Sequence, residues 1–233
     1  MKRFLALMFL GLMLLTALPA LAAETRPVSW NGNTVDVRAA GSWESVIHVN
    51  GNETAVSSDE LTWESDTEVR YAYIWAPKTG KANMRLGPRA KASVIAKAET
   101  GRVVLVFTKG KEFSGIIYNG VAGYMSNSTL KFIDNPVSPR ATATLSFKGK
   151  TDSKQKVIMR AGAGQDTRKV AKLQPGLPVV VFKIGKNWSE VECNGWHGYV
   201  MTQHLVDIVE LEPSSQETPA TDTDLQENTV DLE

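Results

Sequence analysis

Cys193 and His197 are the residue types in this chain that most directly suggest chemistry. They stand four apart across Asn194-Gly195, and a thiol beside an imidazole is the basic unit of a cysteine nucleophile. The chain has one cysteine and three histidines, and His48 and His204 are far away in sequence. No metal-ligand spacing results, and no glycine-rich loop runs into Lys-Ser/Thr to cradle a phosphate. Cys193 and His197 stand where an earlier related stretch has Tyr118 and Ala122, so the pair is no part of a repeated design. A strand thiol and a turn histidine explain them without catalysis. We assign no catalytic residue, no metal and no cofactor, and expect no enzyme. Arg85 and Arg160 do recur at one place in both stretches. A guanidinium there could bind a carboxylate bidentately, or bond the carbonyls of its own loop equally well.

The recurrence is extensive. Phe113 to Leu130 reads FSGIIYNGVAGYMSNSTL, and Trp188 to Leu205 reads WSEVECNGWHGYVMTQHL. One shift of 75 relates Arg85 to Arg160, Gly87 to Gly162, Gly101 to Gly176, Phe107 to Phe182 and Gly110 to Gly185. It also relates Asn119-Gly120 to Asn194-Gly195, Gly123-Tyr124 to Gly198-Tyr199, and Leu130 to Leu205. Two copies of one small unit follow. Within each copy, short apolar runs alternate with turn residues, and Asn-Gly marks a two-residue hairpin. No helix of ordinary length is expected outside the first residues.

The ends differ from the repeats. Lys2-Arg3, the apolar run Phe4 to Leu18 and Pro19-Ala20-Leu21-Ala22 have the form of a secretion signal, residues 1–22. The run is shorter than the ~20 residues of a membrane span, so no transmembrane segment is expected after cleavage. A lone cysteine excludes an internal disulfide, and packing alone must hold the units. Residues 24–71 carry three basic and nine acidic side chains, net −6, and residues 210–233 carry none and eight, net −8. The repeats are basic: ten against three over 72–139, and eleven against five over 140–209. Attraction to an anionic surface or mutual compensation within one molecule would both produce this division. Nucleic-acid binding is not expected of an exported chain.

In order, the chain divides into the signal (1–22), an acidic β-rich segment (23–70), unit one (71–134), a Pro linker (135–140), unit two (141–209) and an acidic tail (210–233). The tail has no aromatic and no basic residue and is expected to be disordered. In the N-terminal segment Asn50-Gly51, Val56 and Leu61 echo Asn194-Gly195, Val200 and Leu205. Arg38 lies only 12 residues before Asn50, against 34 from Arg160 to Asn194, so a full third unit cannot fit. A truncated relative and ordinary β packing both fit, and the short interval favours the latter.

Each repeat resembles a bacterial SH3 domain (SH3b, SH3_3 type). The resemblance rests on Asn83–Pro88, Val94–Ala98, Gly101–Phe107 and Phe113–Leu130, then on Val157–Gly164, Val170–Leu173, Gly176–Phe182 and Trp188–Leu205. It departs at Phe113, where Trp is usual, at Ala161 and Ala163, and in the longer loop Lys148–Lys156. It implies an all-β chain of two tandem SH3-like barrels. It also implies binding, with peptidoglycan, its peptides or a cell-envelope protein as partner and a secreted or cell-wall location. The alternative is an extracellular interaction scaffold without a wall ligand. SH3-like barrels often expose an aromatic at the start of the penultimate strand, where Phe113 and Trp188 stand. Trp196, opposite Val121 of the first copy, flanks a turn. The candidate ligand-binding residues are Phe113, Trp188, Trp196, Arg85 and Arg160.

Overall fold

The computed structural model describes residues 26–133 and 138–211. The signal, part of the linker and the tail beyond Leu211 lie outside the described residues.

The described chain is all β apart from three single-turn 3₁₀ segments, and it forms three antiparallel sheets. The first contains β1 (Val28–Trp30), β2 (Asn33–Ala39), β3 (Glu44–Val49), β4 (Asn52–Ser57) and β5 (Leu61–Trp63). The second contains β6 (Tyr71–Ile74), β7 (Lys81–Arg85), β8 (Val94–Glu99), β9 (Val103–Lys109), β10 (Phe113–Tyr118), β11 (Val121–Ser126) and β12 (Leu130–Ile133). The third contains β13 (Ala141–Leu145), β14 (Val157–Arg160), β15 (Lys169–Leu173), β16 (Pro178–Lys183), β17 (Trp188–Cys193), β18 (Trp196–Met201) and β19 (Leu205–Glu210).

The strand orders show the duplication directly. The second sheet runs β12-β6-β9-β10-β11-β7-β8, and the third, read backwards, runs β19-β13-β16-β17-β18-β14-β15. Every strand of one is matched by the strand seven later. Each sheet encloses its own core. Met84, Val104, Val106, Ile116, Met125 and Leu130 of the first copy stand where Met159, Val179, Val181, Val191, Val200 and Leu205 stand in the second. The expected all-β architecture is present, with two seven-stranded sheets of one strand order.

The N-terminal sheet corrects the reading of ordinary β packing. Its order, β5-β1-β2-β3-β4, is that of β12-β6-β9-β10-β11. A shift of 69 carries its buried Val35, Val37, Ile47, Val56 and Leu61 onto Val104, Val106, Ile116, Met125 and Leu130. It is therefore a truncated third copy, missing the β7–β8 hairpin. The 12-residue interval misled because Arg38 corresponds to Phe107 and not to Arg85. The hairpin that bears Arg85 is the piece that is absent.

Two local devices recur in all three copies. Asn50, Asn119 and Asn194 have φ of 51°, 50° and 49°, each followed by a glycine with positive φ, so the tight primed turn closes each hairpin. Behind each hairpin lies a polar clasp. In the third sheet Thr202 Oγ1 donates to Gly185 O (2.7 Å) and pairs with the buried Ser189 Oγ at 2.9 Å. In the second, Asn127 Nδ2 donates to Gly110 O (2.8 Å) while Ser114 Oγ donates to Asn127 Oδ1 (2.7 Å). In the first, Ser58 Oγ donates to Gly41 O (2.7 Å) and meets Ser45 Oγ at 2.8 Å. The spacing is Gly, then Ser four later, then a polar residue thirteen after that, in every copy.

Replacing Thr202 by Val keeps the shape of the side chain but leaves the buried Ser189 hydroxyl and Gly185 O without a partner. The expected loss is about 1–3 kcal/mol, read as a lower midpoint in urea unfolding. Adding Ser189→Ala should recover part of that loss, because one orphaned group disappears.

Candidate functional site

Strands β17 and β18 form a hairpin with two unlike faces. Alternation along each strand sends Ser189, Val191, Cys193, Trp196 and Val200 towards the core of the third sheet. It sends Trp188, Glu190, Glu192, His197, Tyr199 and Met201 to the outer face. Trp188 pairs with Met201 at one end, and Cys193 pairs with Trp196 at the turn end.

The turn end is inserted between the other two sheets. Val103 N donates to Gly195 O (2.9 Å), and His197 N donates to Gly101 O (2.7 Å). A Cβ on Gly195 would lie 2.8 Å from Ala40 O, so backbone of the N-terminal sheet occupies the space a side chain would need.

His197 is at the centre of this junction and is 5% exposed. Its ring stacks on Tyr73 of the second sheet, with centroids 4.1 Å apart and planes at 13°. Phe182 lies 5.4 Å away on another side. Nε2 and Glu190 Oε1 are 2.9 Å apart. Nδ1 is 3.8 Å from Glu192 Oε2, too long for a hydrogen bond, and that contact is Coulombic. Glu192, itself 4% exposed, accepts hydrogen bonds from Ser42 N (2.6 Å) and Ser42 Oγ (2.8 Å) of the N-terminal sheet. The imidazole thus joins the third sheet to the second, and Glu192 beside it joins the third to the N-terminal one. Burial pulls its pKa down, but the hydrogen bond to Glu190 and the charge of Glu192 outweigh that, and it ends above 6.5. The hydrogen bond to His197 holds Glu190 below its ordinary range. Burial and the neighbouring Glu190 push Tyr73 up to about 12.

Cys193 and His197 do not form a nucleophile. The thiol points into the core and the imidazole lies on the opposite face. Burial, with Glu192 and Glu44 nearby, pushes the thiol up to about 12, so the thiolate that would react is absent at neutral pH.

The five candidate binding residues do not converge. Trp188 and Phe113 occupy corresponding positions at the open ends of their hairpins, half-buried. Trp196 is at the opposite end of its hairpin from Trp188, beneath the Arg102 guanidinium at 4.8 Å, and belongs to the junction. Arg85 Nη1 donates to Ala92 O (2.8 Å) and Arg160 Nη1 donates to Thr167 O (2.6 Å), each closing its own loop. The two arginines repeat because the loop repeats.

A cavity of about 560 Å³ lies elsewhere, between the two full copies. Thr79, Gly80, Lys81, Asn83, Lys97, Glu99 and Thr100 line it from the first copy, and Arg168, Lys169 and Val170 from the second. Sequence reasoning missed it because its walls come from two units. The excess of lysine and arginine in both repeats was the available signal.

Residues 153–207 match the family model described as Bacterial SH3 domain. The match lies within the second copy. No curated protein matches the chain. Among solved structures, the chain is similar to NlpC2 from Trichomonas vaginalis, with 8% identity and a TM-score of 0.25, covering 59% of this chain and 47% of that one. NlpC1 from the same organism gives 9%, 0.25, 61% and 48%. The chain spans about half the length of these structures, and at such scores they do not bear on its function.

Two outcomes test the junction. The folded pKa of His197 is raised, so its pairing stabilises fully below pH 6.5 and is lost as pH rises through the folded value. Glu190 acts in the opposite sense: its contribution is present above 4.5 and lost as pH falls through the lowered value. Urea midpoints of the wild type should therefore fall from pH 6.5 upward more steeply than those of His197→Gln. The Cys193 thiol should resist an aromatic disulfide reagent at pH 8 in the native protein and react at once in denaturant. Immediate native reaction would contradict the buried placement.

Proposed function

We propose that this protein is an exported, non-catalytic binding protein of tandem bacterial SH3 units whose ligand is peptidoglycan or its peptides. The match of residues 153–207 to the bacterial SH3 family carries the reading. Three further features support it. The form of residues 1–22 suits export. The repeats are basic, which favours an anionic envelope. On the outer face of the third sheet the open end of the hairpin presents Trp188, Tyr199 and Met201, each half-exposed. A half-exposed tryptophan gives a large, rigid apolar area at small entropic cost, as binding anchors require. Phe113 occupies the same place in the first copy, with a smaller ring and no N–H.

Co-sedimentation of the mature protein, residues 23–233, with purified peptidoglycan tests this reading. Retention is expected, and Trp188→Ala should weaken it by at least about tenfold, as for an anchor residue. Phe113→Ala should have a smaller effect. A wild-type protein left wholly in the supernatant would remove the cell-wall ligand and leave the scaffold reading.

A further inference from the structure

The cavity between the copies is lined mainly by cationic and polar side chains. Lys81, Lys97, Arg168 and Lys169 face it with one carboxylate, Glu99. Glu99 is engaged by Lys81 at 3.4 Å. Lys97 and Lys169 have no ion-pair partner among the described residues. Arg168 is held by two backbone carbonyls of the first copy: Nε donates to Pro77 O (2.6 Å) and Nη2 to Lys78 O (2.8 Å). Gly80 makes room for this guanidinium, because a Cβ there would lie 2.8 Å from Nη1. The carbonyls offset none of the positive charge. Arg168 is thus a fixed cation in the wall, and the two free lysines lie beside it.

A concave site of this size takes a ligand of a few residues. Val170 is its one aliphatic side chain, and four cations face it against one carboxylate, so it favours an anionic ligand. The matching sequence is in the same chain. Residues 212–233 carry seven carboxylates, Glu212, Glu217, Asp222, Asp224, Glu227, Asp231 and Glu233, and no basic or aromatic residue. They begin just after β19, and 22 residues extend to about 70 Å, so reach does not limit the contact. Exposed cation–carboxylate pairs are individually weak in water. A tethered segment, however, is present at an effective concentration of order mM, and weak pairs then suffice.

We propose that the cleft between the two full copies is a binding site for an acidic peptide, and that its occupant is the acidic C-terminal segment of the same chain. The segment then shields the basic repeats from polyanions until one of them displaces it. This contact is independent of the ligand proposed for the Trp188 face, and its test does not use peptidoglycan.

Backbone amide NMR signals of Gly80, Lys97, Lys169 and Val170 would be compared between the full mature chain and a variant with Asp222→Asn, Asp224→Asn, Glu227→Gln and Asp231→Asn. At low salt these four signals should differ between the two proteins. The difference should vanish near 0.5 M salt, where the screening length is only about 4 Å. Lys97→Glu with Lys169→Glu in the wild-type chain should remove the dependence on the segment while signals remote from the cleft stay in place. A synthetic peptide of residues 212–233 added to the neutralised variant should restore the shifts, with affinity at least about tenfold lower for the Lys97→Glu, Lys169→Glu form. Identical cleft signals in the wild type and the neutralised variant at low salt would overturn the proposal. Shifts confined to residues outside the cleft would overturn it equally.

Discussion

The N-terminal copy lacks a hairpin, so its core is open on one side. Val35, Val37, Ile47, Val56 and Leu61 occupy the positions that β7 and β8 help to cover in the second sheet. An apolar core left open to water loses the term that drives folding, about 25 cal/mol per Å² of apolar surface. The missing cover comes from the next copy. Tyr71, Val103, Leu105, Phe107, Ile117 and Ala122, from the outer face of the second sheet, complete one continuous cluster with the N-terminal residues. Trp63 Nε1 donates to Val106 O (2.9 Å) along the same seam, and Tyr71 Oη donates to Ser58 O (2.7 Å). Truncation of one unit thus fixes its place against the next.

That constraint explains why the two full copies differ where they do. Ile117 and Ala122 of the first copy correspond to Glu192 and His197 of the second. The first pair must be apolar because it lies under the N-terminal core. The second pair lies at the junction and is buried only at the turn end. Charges taken out of water there are costly unless paired. Glu192 is satisfied by Ser42, and His197 by Glu190 on one side with Tyr73 stacked on it. Such an arrangement adds little net stability compared with a well-packed apolar contact, and a mispaired one is heavily penalised. Its effect is to set the register of the Asn194-Gly195 turn against Gly101 and Ala40.

The two full units were legible in the sequence because their turn residues keep one register over the whole unit. Asn-Gly at each hairpin and the final leucine mark backbone conformations that few residues adopt, and so they repeat. The truncated copy was harder to read. Its alignment requires a deletion, and Arg38 offered a false anchor. The clasp of glycine, serine and a third polar residue would have exposed it. Gly41, Ser45 and Ser58 keep the spacing of Gly185, Ser189 and Thr202, although serine and threonine carry no obvious signal singly. Cys193, Trp196 and His197 stood out as residues that do not repeat. The structure gives the reason: the turn end that bears them is inserted between the other two sheets, whereas a Cβ on Gly51, at the corresponding turn of the N-terminal copy, would meet nothing within 4 Å. Arg85 and Arg160 repeat for the opposite reason, as parts of the loop.

On the proposed function, this packing also changes how the two copies would cooperate in binding. A stiff proline linker between independent barrels would give avidity set by linker length. Here the second copy reaches the first through Arg168, Gly195 and His197, so the separation of Phe113 from Trp188 is set by packed sheets. A ligand that engages both must match that separation, and a flexible ligand must be ordered to do so. On that proposal, such a body would discriminate by spacing more than by the chemistry of either end. Phe113 and Trp188 differ in size and in the indole N–H, so the two ends are also chemically distinct.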